Sequence, residues 1–79
     1  MTLSDGKIRG EYTLQKMDLP LPVYMRLQAL GMTTGTEVYI RNKKKQGAVI
    51  FTVRGTRLAV GQEIADRIFI EENGGKQNG

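Results

Sequence analysis

A chain of 79 residues without Cys or His is one small domain that cannot contain a disulfide, a Cys/His zinc site or an iron–sulfur cluster held by its own side chains. It also lacks the imidazole and thiolate that serve most acid–base and nucleophilic catalysis, and its acids (Asp5, Glu11, Asp18, Glu37, Glu63, Asp66, Glu71, Glu72) are scattered without the spacing of a carboxylate pair. Twelve Lys and Arg against eight Asp and Glu, a net charge of +4, favour acidic partners.

Residues 1–6 are polar and are expected to be loose. Residues 7–17 broadly alternate, with Ile8, Tyr12 and Leu14 apolar, which predicts a strand over 8–16 with Gly10 as a bulge. Pro20 and Pro22 bar a helix interior but suit a first turn. A helix is therefore predicted over 22–30, capped by Asp18. Val23, Leu27 and Leu30 fall on one apolar face of that helix. Gly31 suits the left-handed stop, with Met32 folding back on Leu27. A helix of about nine residues is too short to stand alone and must dock on something.

The run "EVYIR" puts Val38 and Ile40 on one face, and "AVIFTV" puts Val49, Phe51 and Val53 on one face. The basic stretch "RNKKKQG" between them reads as a hairpin connection with a longer loop. A tight turn at Gly55-Thr56 leads into a short strand over 57–60, a single helical turn in "GQEIADR" and a last strand in "RIFIE". The Gly/Asn-rich residues 73–79 are expected to be disordered. The predicted organisation is a loose 1–6, a folded 7–72 and a tail over 73–79. The fold class is mainly β: a small barrel of about five short strands, one short α-helix and a helical turn before the last strand.

The ordered set "LQALGMTTGTEVYI", "GAVIFTVRGTRLAV" and "EIADRIFI" resembles the ferrous iron transport protein A (FeoA) family. The family pattern, roughly R-L-x-x-L-G-[LIM]-x-x-G-x-x-[VI], is matched by Arg26, Leu27, Leu30, Gly31, Met32, Gly35 and Val38. Val49, Phe51, Val53 and Gly55 follow, then Leu58, Ala59, Glu63, Ala65, Ile68 and Ile70, so the likeness runs from about Gly10 to Ile70. The Pro-Leu-Pro entry to the helix and Val60-Gly61 depart from the pattern. The resemblance implies an SH3-like barrel and a non-enzymatic accessory or regulatory role in bacterial ferrous iron uptake. It implies as partner the cytoplasmic part of the permease FeoB, a membrane protein with a cytoplasmic G domain.

The residues themselves point to an interaction module and not to an enzyme, and no cofactor or metal site is expected. No apolar run reaches the roughly 18 residues of a membrane span, and "MTLSDGKIRG" is not a signal peptide, so the expected location is the cytoplasm. Candidate partner-binding residues are Tyr24, Met25 and Ile50, which lie off the apolar stripes, and Leu27 and Leu30 at the helix–barrel junction. To these are added the basic Arg41, Lys43, Lys44 and Lys45. A solvated hairpin tip accounts for the lysines equally well. The alternative function is a small-barrel nucleic-acid binder using the basic loop. It is disfavoured because no aromatic interleaves the lysines, with Tyr39 as the one stacking platform nearby. A stand-alone relative of the barrel domain of metal-dependent repressors would lack a DNA-reading helix pair.

Overall fold

The computed structural model describes residues 1–73. In chain order it contains a 3-10 turn (Leu3–Asp5), β1 (Glu11–Met17), α1 (Leu21–Ala29), β2 (Glu37–Lys43), β3 (Val49–Val53), β4 (Thr56–Val60), the short α2 (Gln62–Ala65) and β5 (Ile68–Glu72). The five strands form one antiparallel sheet in the order β4-β3-β2-β1-β5. The mainly β class, the strand count, the single short helix and the helical turn before the last strand are as expected. The expectation that closure removes the edges is not met: among the described residues no ladder joins β4 to β5, so the barrel has an open seam.

Side chains alternate across a strand, and one face of every strand is apolar. Tyr12, Leu14 and Met17 of β1, Val38 and Ile40 of β2, Val49, Phe51 and Val53 of β3, Val60 of β4 and Ile68 and Ile70 of β5 are buried together. Two register shifts keep this face inward. One falls between Leu14 and Lys16, opposite β5, and the other between Ile40 and Asn42, opposite β3. An extra residue in one strand restores the alternation on the far side of the bulge. The same bulge carries β2 through Asn42 and Lys43, so half of the basic stretch is strand and only residues 44–48 turn.

Residues 1–6 are not loose. Leu3 is fully buried in the core cluster. Thr2 bridges Phe69 of β5, and the Ile70 N–H donates to the Met1 carbonyl at 2.8 Å. The Ser4 hydroxyl donates to Asp66 at 2.5 Å. A lone apolar residue in a polar segment has no periodicity, so the sequence gives no sign of this plug. Ile8 and Gly10 fall before β1, where Arg9 takes φ 73° in a turn, so the strand starts later than expected. Asn73 stays attached, donating from its N–H to Glu11 at 3.4 Å. The remainder of the expected disordered tail lies outside the described residues.

The helix begins one residue earlier than expected and ends at Ala29. Asp18 does not cap it: the Asp18 N–H bonds to the Arg67 carbonyl, and Pro20 stands at the cap position without a side-chain bond. The C-terminus follows the expectation. Gly31 takes φ 113°, its N–H bonds to Gln28 at 3.0 Å and the Met32 N–H reaches back to Leu27 at 3.0 Å. This is the paired bonding of a Schellman stop, and both Leu27 and Met32 are buried. The helical inward face is Val23, Tyr24 and Leu27. Leu30 leaves it, 42% exposed, because the chain has already turned at the cap.

A Cβ at Gly31 would lie 2.9 Å from Arg54 Cδ, whereas one at Gly35 (φ 92°) would meet nothing within 4 Å. Gly31→Ala is therefore expected to cost about 1–2 kcal/mol in urea unfolding, and Gly35→Ala only its backbone share, about 1 kcal/mol. At the N-terminal turn, the Asp5 carboxylate accepts from the Thr2 N–H at 2.9 Å and the Thr2 hydroxyl at 3.2 Å. These bonds, the backbone one first, hold its pKa below the ordinary carboxylate value. The stabilisation is present at neutral pH and is lost as pH falls through that lowered value. An NMR acid titration should show the Thr2 amide moving with a midpoint below that of a free aspartate.

Candidate docking surfaces

The helix presents its outer face to solvent. Leu21 is 67% and Met25 55% exposed, and Ala29 continues the same four-residue spacing. Leu21 is absent from the residues singled out in the sequence, which weighed the inward stripe; the signal is its i, i+4 relation to Met25. Beside Leu21 lies a cleft of about 220 Å³ lined by Leu19, Pro20, Val23, Glu63, Ile64 and Arg67. Of the other helical candidates, Leu30 is accessible, Tyr24 is half-buried and Leu27 is core.

The basic hairpin is a second, separate element. Arg41, Lys44 and Lys45 are exposed. Lys43 is not free: its ammonium donates to the carbonyls of Ser4 at 2.7 Å and Gly6 at 2.9 Å. That lysine fastens the N-terminal turn whose Leu3 enters the core. The turn is closed by the Lys44 N–H to Ala48 at 2.8 Å and the Gly47 N–H to Lys44 at 2.9 Å. Ile50 lies on the outer face of β3, half-buried between Asn42 and Ala59 on the flanking strands.

The candidates are thus not brought into one patch. The helix C-terminus packs on Arg54, just past the end of β3, and the lysines lie at its beginning. The four residue steps from Val49 to Val53 separate these ends by about 13 Å. What unites the strand side of the molecule is its charge. No acid occurs between Glu37 and Glu63, while Arg41, Lys43, Lys44, Lys45, Arg54 and Arg57 all fall there. Glu11, Glu71 and Glu72 lie on β1 and β5 instead. The Arg41 guanidinium sits 5.7 Å over the ring of Tyr39, so the one aromatic near the lysines already has a cation on its face.

Among the described residues no group of three or more Asp or Glu side chains could hold a metal ion. No helix among them is long and apolar enough to cross a membrane. No Asp, Glu, Lys or Arg side chain is buried among them either.

A small antiparallel barrel of five strands with one docked short helix is SH3-like in fold. The FeoA domain model matches residues 1–72, and the chain belongs to the FeoA family. Membership implies a role in ferrous iron transport. No match was found among curated proteins. Among solved structures, the FeoA protein of Chlorobium tepidum superposes with a TM-score of 0.87 at 20% identity, covering 92% of this chain and 70% of that one. FeoA of Stenotrophomonas maltophilia, complexed with zinc and described as a prokaryotic SH3 domain protein, gives 0.77 at 28% identity, covering 90% and 89%. The manganese-activated repressor ScaR gives 0.78 at 22% identity, covering 91% of this chain but 35% of the repressor, a likeness of fold alone.

The different settings of the lysines are separable by substitution. Lys43→Met should lower stability by about 1–2 kcal/mol, since two carbonyls lose a charged donor, and should speed amide exchange at residues 3–6. Lys45→Met should stay within about 0.5 kcal/mol of the parent in the same denaturant assay.

Proposed function

We propose that this chain is a non-enzymatic accessory or regulatory protein of bacterial ferrous iron uptake that acts in the cytoplasm by binding the cytoplasmic part of the permease FeoB. The observation that carries this reading is the family match across residues 1–72. The relative from Stenotrophomonas maltophilia, described as a candidate activating factor for ferrous iron transport, supports it. So does the absence of a metal-ligand cluster among the described residues, which favours acting on a transporter over carrying the ion.

The docking surface in this proposal is the helix face. Leu21 and Met25 supply accessible apolar area, with Leu30 and the visible edge of Tyr24 beside them. An exposed apolar stripe supports reading this face as the interaction site. Leu27 supports it from inside. Arg41, Lys44 and Lys45 contribute attraction at longer range, with Ile50 on the same flank, and Lys43 acts through the N-terminal turn. Exposed charges of this kind change association rate more than affinity.

The test is capture of the full chain by full-length detergent-solubilised permease. Leu21→Asp with Met25→Asp should weaken binding by at least about tenfold, since hot-spot losses exceed 1 kcal/mol, while leaving the thermal midpoint near that of the parent. Lys44→Glu with Lys45→Glu should mainly slow association and lessen its salt dependence. Absence of any complex with the parent chain would refute the reading.

A further inference from the structure

β4 ends the sheet and pairs only with β3. Arg54 and Gly55, with φ 49° and 78°, make the connection a two-residue turn with both residues left-handed. The sequence-based turn at Gly55-Thr56 is one residue late, because Thr56 already pairs with Val53. The pair flanking such a turn is hydrogen-bonded, and bonded and non-bonded pairs then alternate. Thr56, Leu58 and Val60 therefore spend their peptide groups on β3. Arg57 and Ala59 turn theirs to the open edge. Both residues are exposed, and among the described residues no backbone group bonds to them from that side.

The opposite edge differs. On β5, Thr2 bridges Phe69 and the Met1 carbonyl takes the Ile70 N–H. One end of the ladder is guarded and the other is not. β4 also lacks two of the usual blunting devices: it contains no Pro, and its pairing with β3 runs without a register shift from Val49↔Val60 to Val53↔Thr56.

Charge and alternation define what would fit. The edge lies within the stretch from Val38 to Gln62, which contains no acid; Arg57 lies on it and Arg54 in the turn before it. Arg57 and Ala59 project on the outer face, across from Thr52 and Ile50, and Leu58 and Val60 project inward with Phe51 and Val49. We propose that the free edge of β4 accepts an extended segment of another protein in which acidic and apolar residues alternate. Its main chain would complete the bonds of Arg57 and Ala59, its acids would lie beside Arg57, and its apolar side chains would cover the exposed side of Leu58. A second copy of this chain suits the edge poorly. Its β5 edge is already occupied, and two β4 strands would bring arginines together. The proposal is independent of the ferrous iron reading.

The experiment titrates the isotope-labelled full chain with a capped eight-residue peptide of alternating Val and Glu. The matching Val/Lys peptide and a uridine octamer serve as comparisons. Ala59→Pro removes an outward N–H without touching the β3 ladder, a substitution edge strands tolerate. Arg57→Glu reverses the local charge at an exposed side chain. The proposal expects amide shifts centred on Arg57 and Ala59 with the Val/Glu peptide, at least about tenfold weaker binding by either variant, and otherwise parent-like spectra. No shifts at millimolar peptide, equal binding of the Val/Lys peptide, shifts centred on the helix, tighter binding of the RNA, or self-association abolished by Ala59→Pro would each overturn it.

Discussion

The constraint on which the molecule depends is that one apolar interior must be sealed without a disulfide or a metal held by Cys or His. A chain with no Cys and no His has only burial to offset the entropy of folding. Five strands supply the walls, but the ladder does not close on itself. Leu3, Leu27, Met32 and Ala65, all from outside the sheet, complete the buried cluster. This explains why a nine-residue helix and a three-residue turn persist despite being too short for independent stability. Each is held by a side chain that the barrel cannot do without. Tyr12 brings a side-chain hydroxyl into this cluster, and that hydroxyl accepts the Lys7 N–H at 2.8 Å.

With the interior committed to packing, function is left to the exterior. The outer surface is divided by sequence position. The helix offers apolar area, β2 beyond Glu37 through β4 offers positive charge, and β1 and β5 carry acids beside the single Lys16. A ferrous iron transport role exercised through contact with another polypeptide is consistent with such a division. In the proposed docking, the partner engages the helix by hydrophobic burial and is oriented by the charged flank, the two lying at opposite ends of β3. The basic stretch that dominates the sequence contributes less than its charge suggests, because one of its lysines is a structural clamp and its single arginine rests on Tyr39.

Much of the architecture was legible in the residues, and the exceptions have physical causes. Alternation revealed β2, β3 and β5 because each has one fully buried face. The extension of β2 into Asn42 and Lys43 was hidden, since a bulge breaks the alternation where polar residues continue the pairing. Gly31 marked the helix end correctly because its role is set by local backbone geometry alone. Asp18 was misread as a cap because its N–H is claimed by Arg67, far along the chain, a contact that no local pattern encodes. Leu30 was assigned to the core from spacing that carried the helix one residue further along the chain than it runs. The site was less legible than the fold: exposure of Leu21 and the double bond of Lys43 to the N-terminal turn are tertiary facts.

The contact between Gly31 and Arg54 ties together two elements that are distant in sequence. Arg54 holds a left-handed backbone that costs a residue with a side chain more than it costs glycine, and its methylenes fill the space left by the missing Cβ of Gly31. Lifting the helix away from the barrel would uncover those methylenes and loosen the hairpin turn that precedes β4. The end of the helix and the turn before β4 thus share one packing contact, although they stand far apart in the chain.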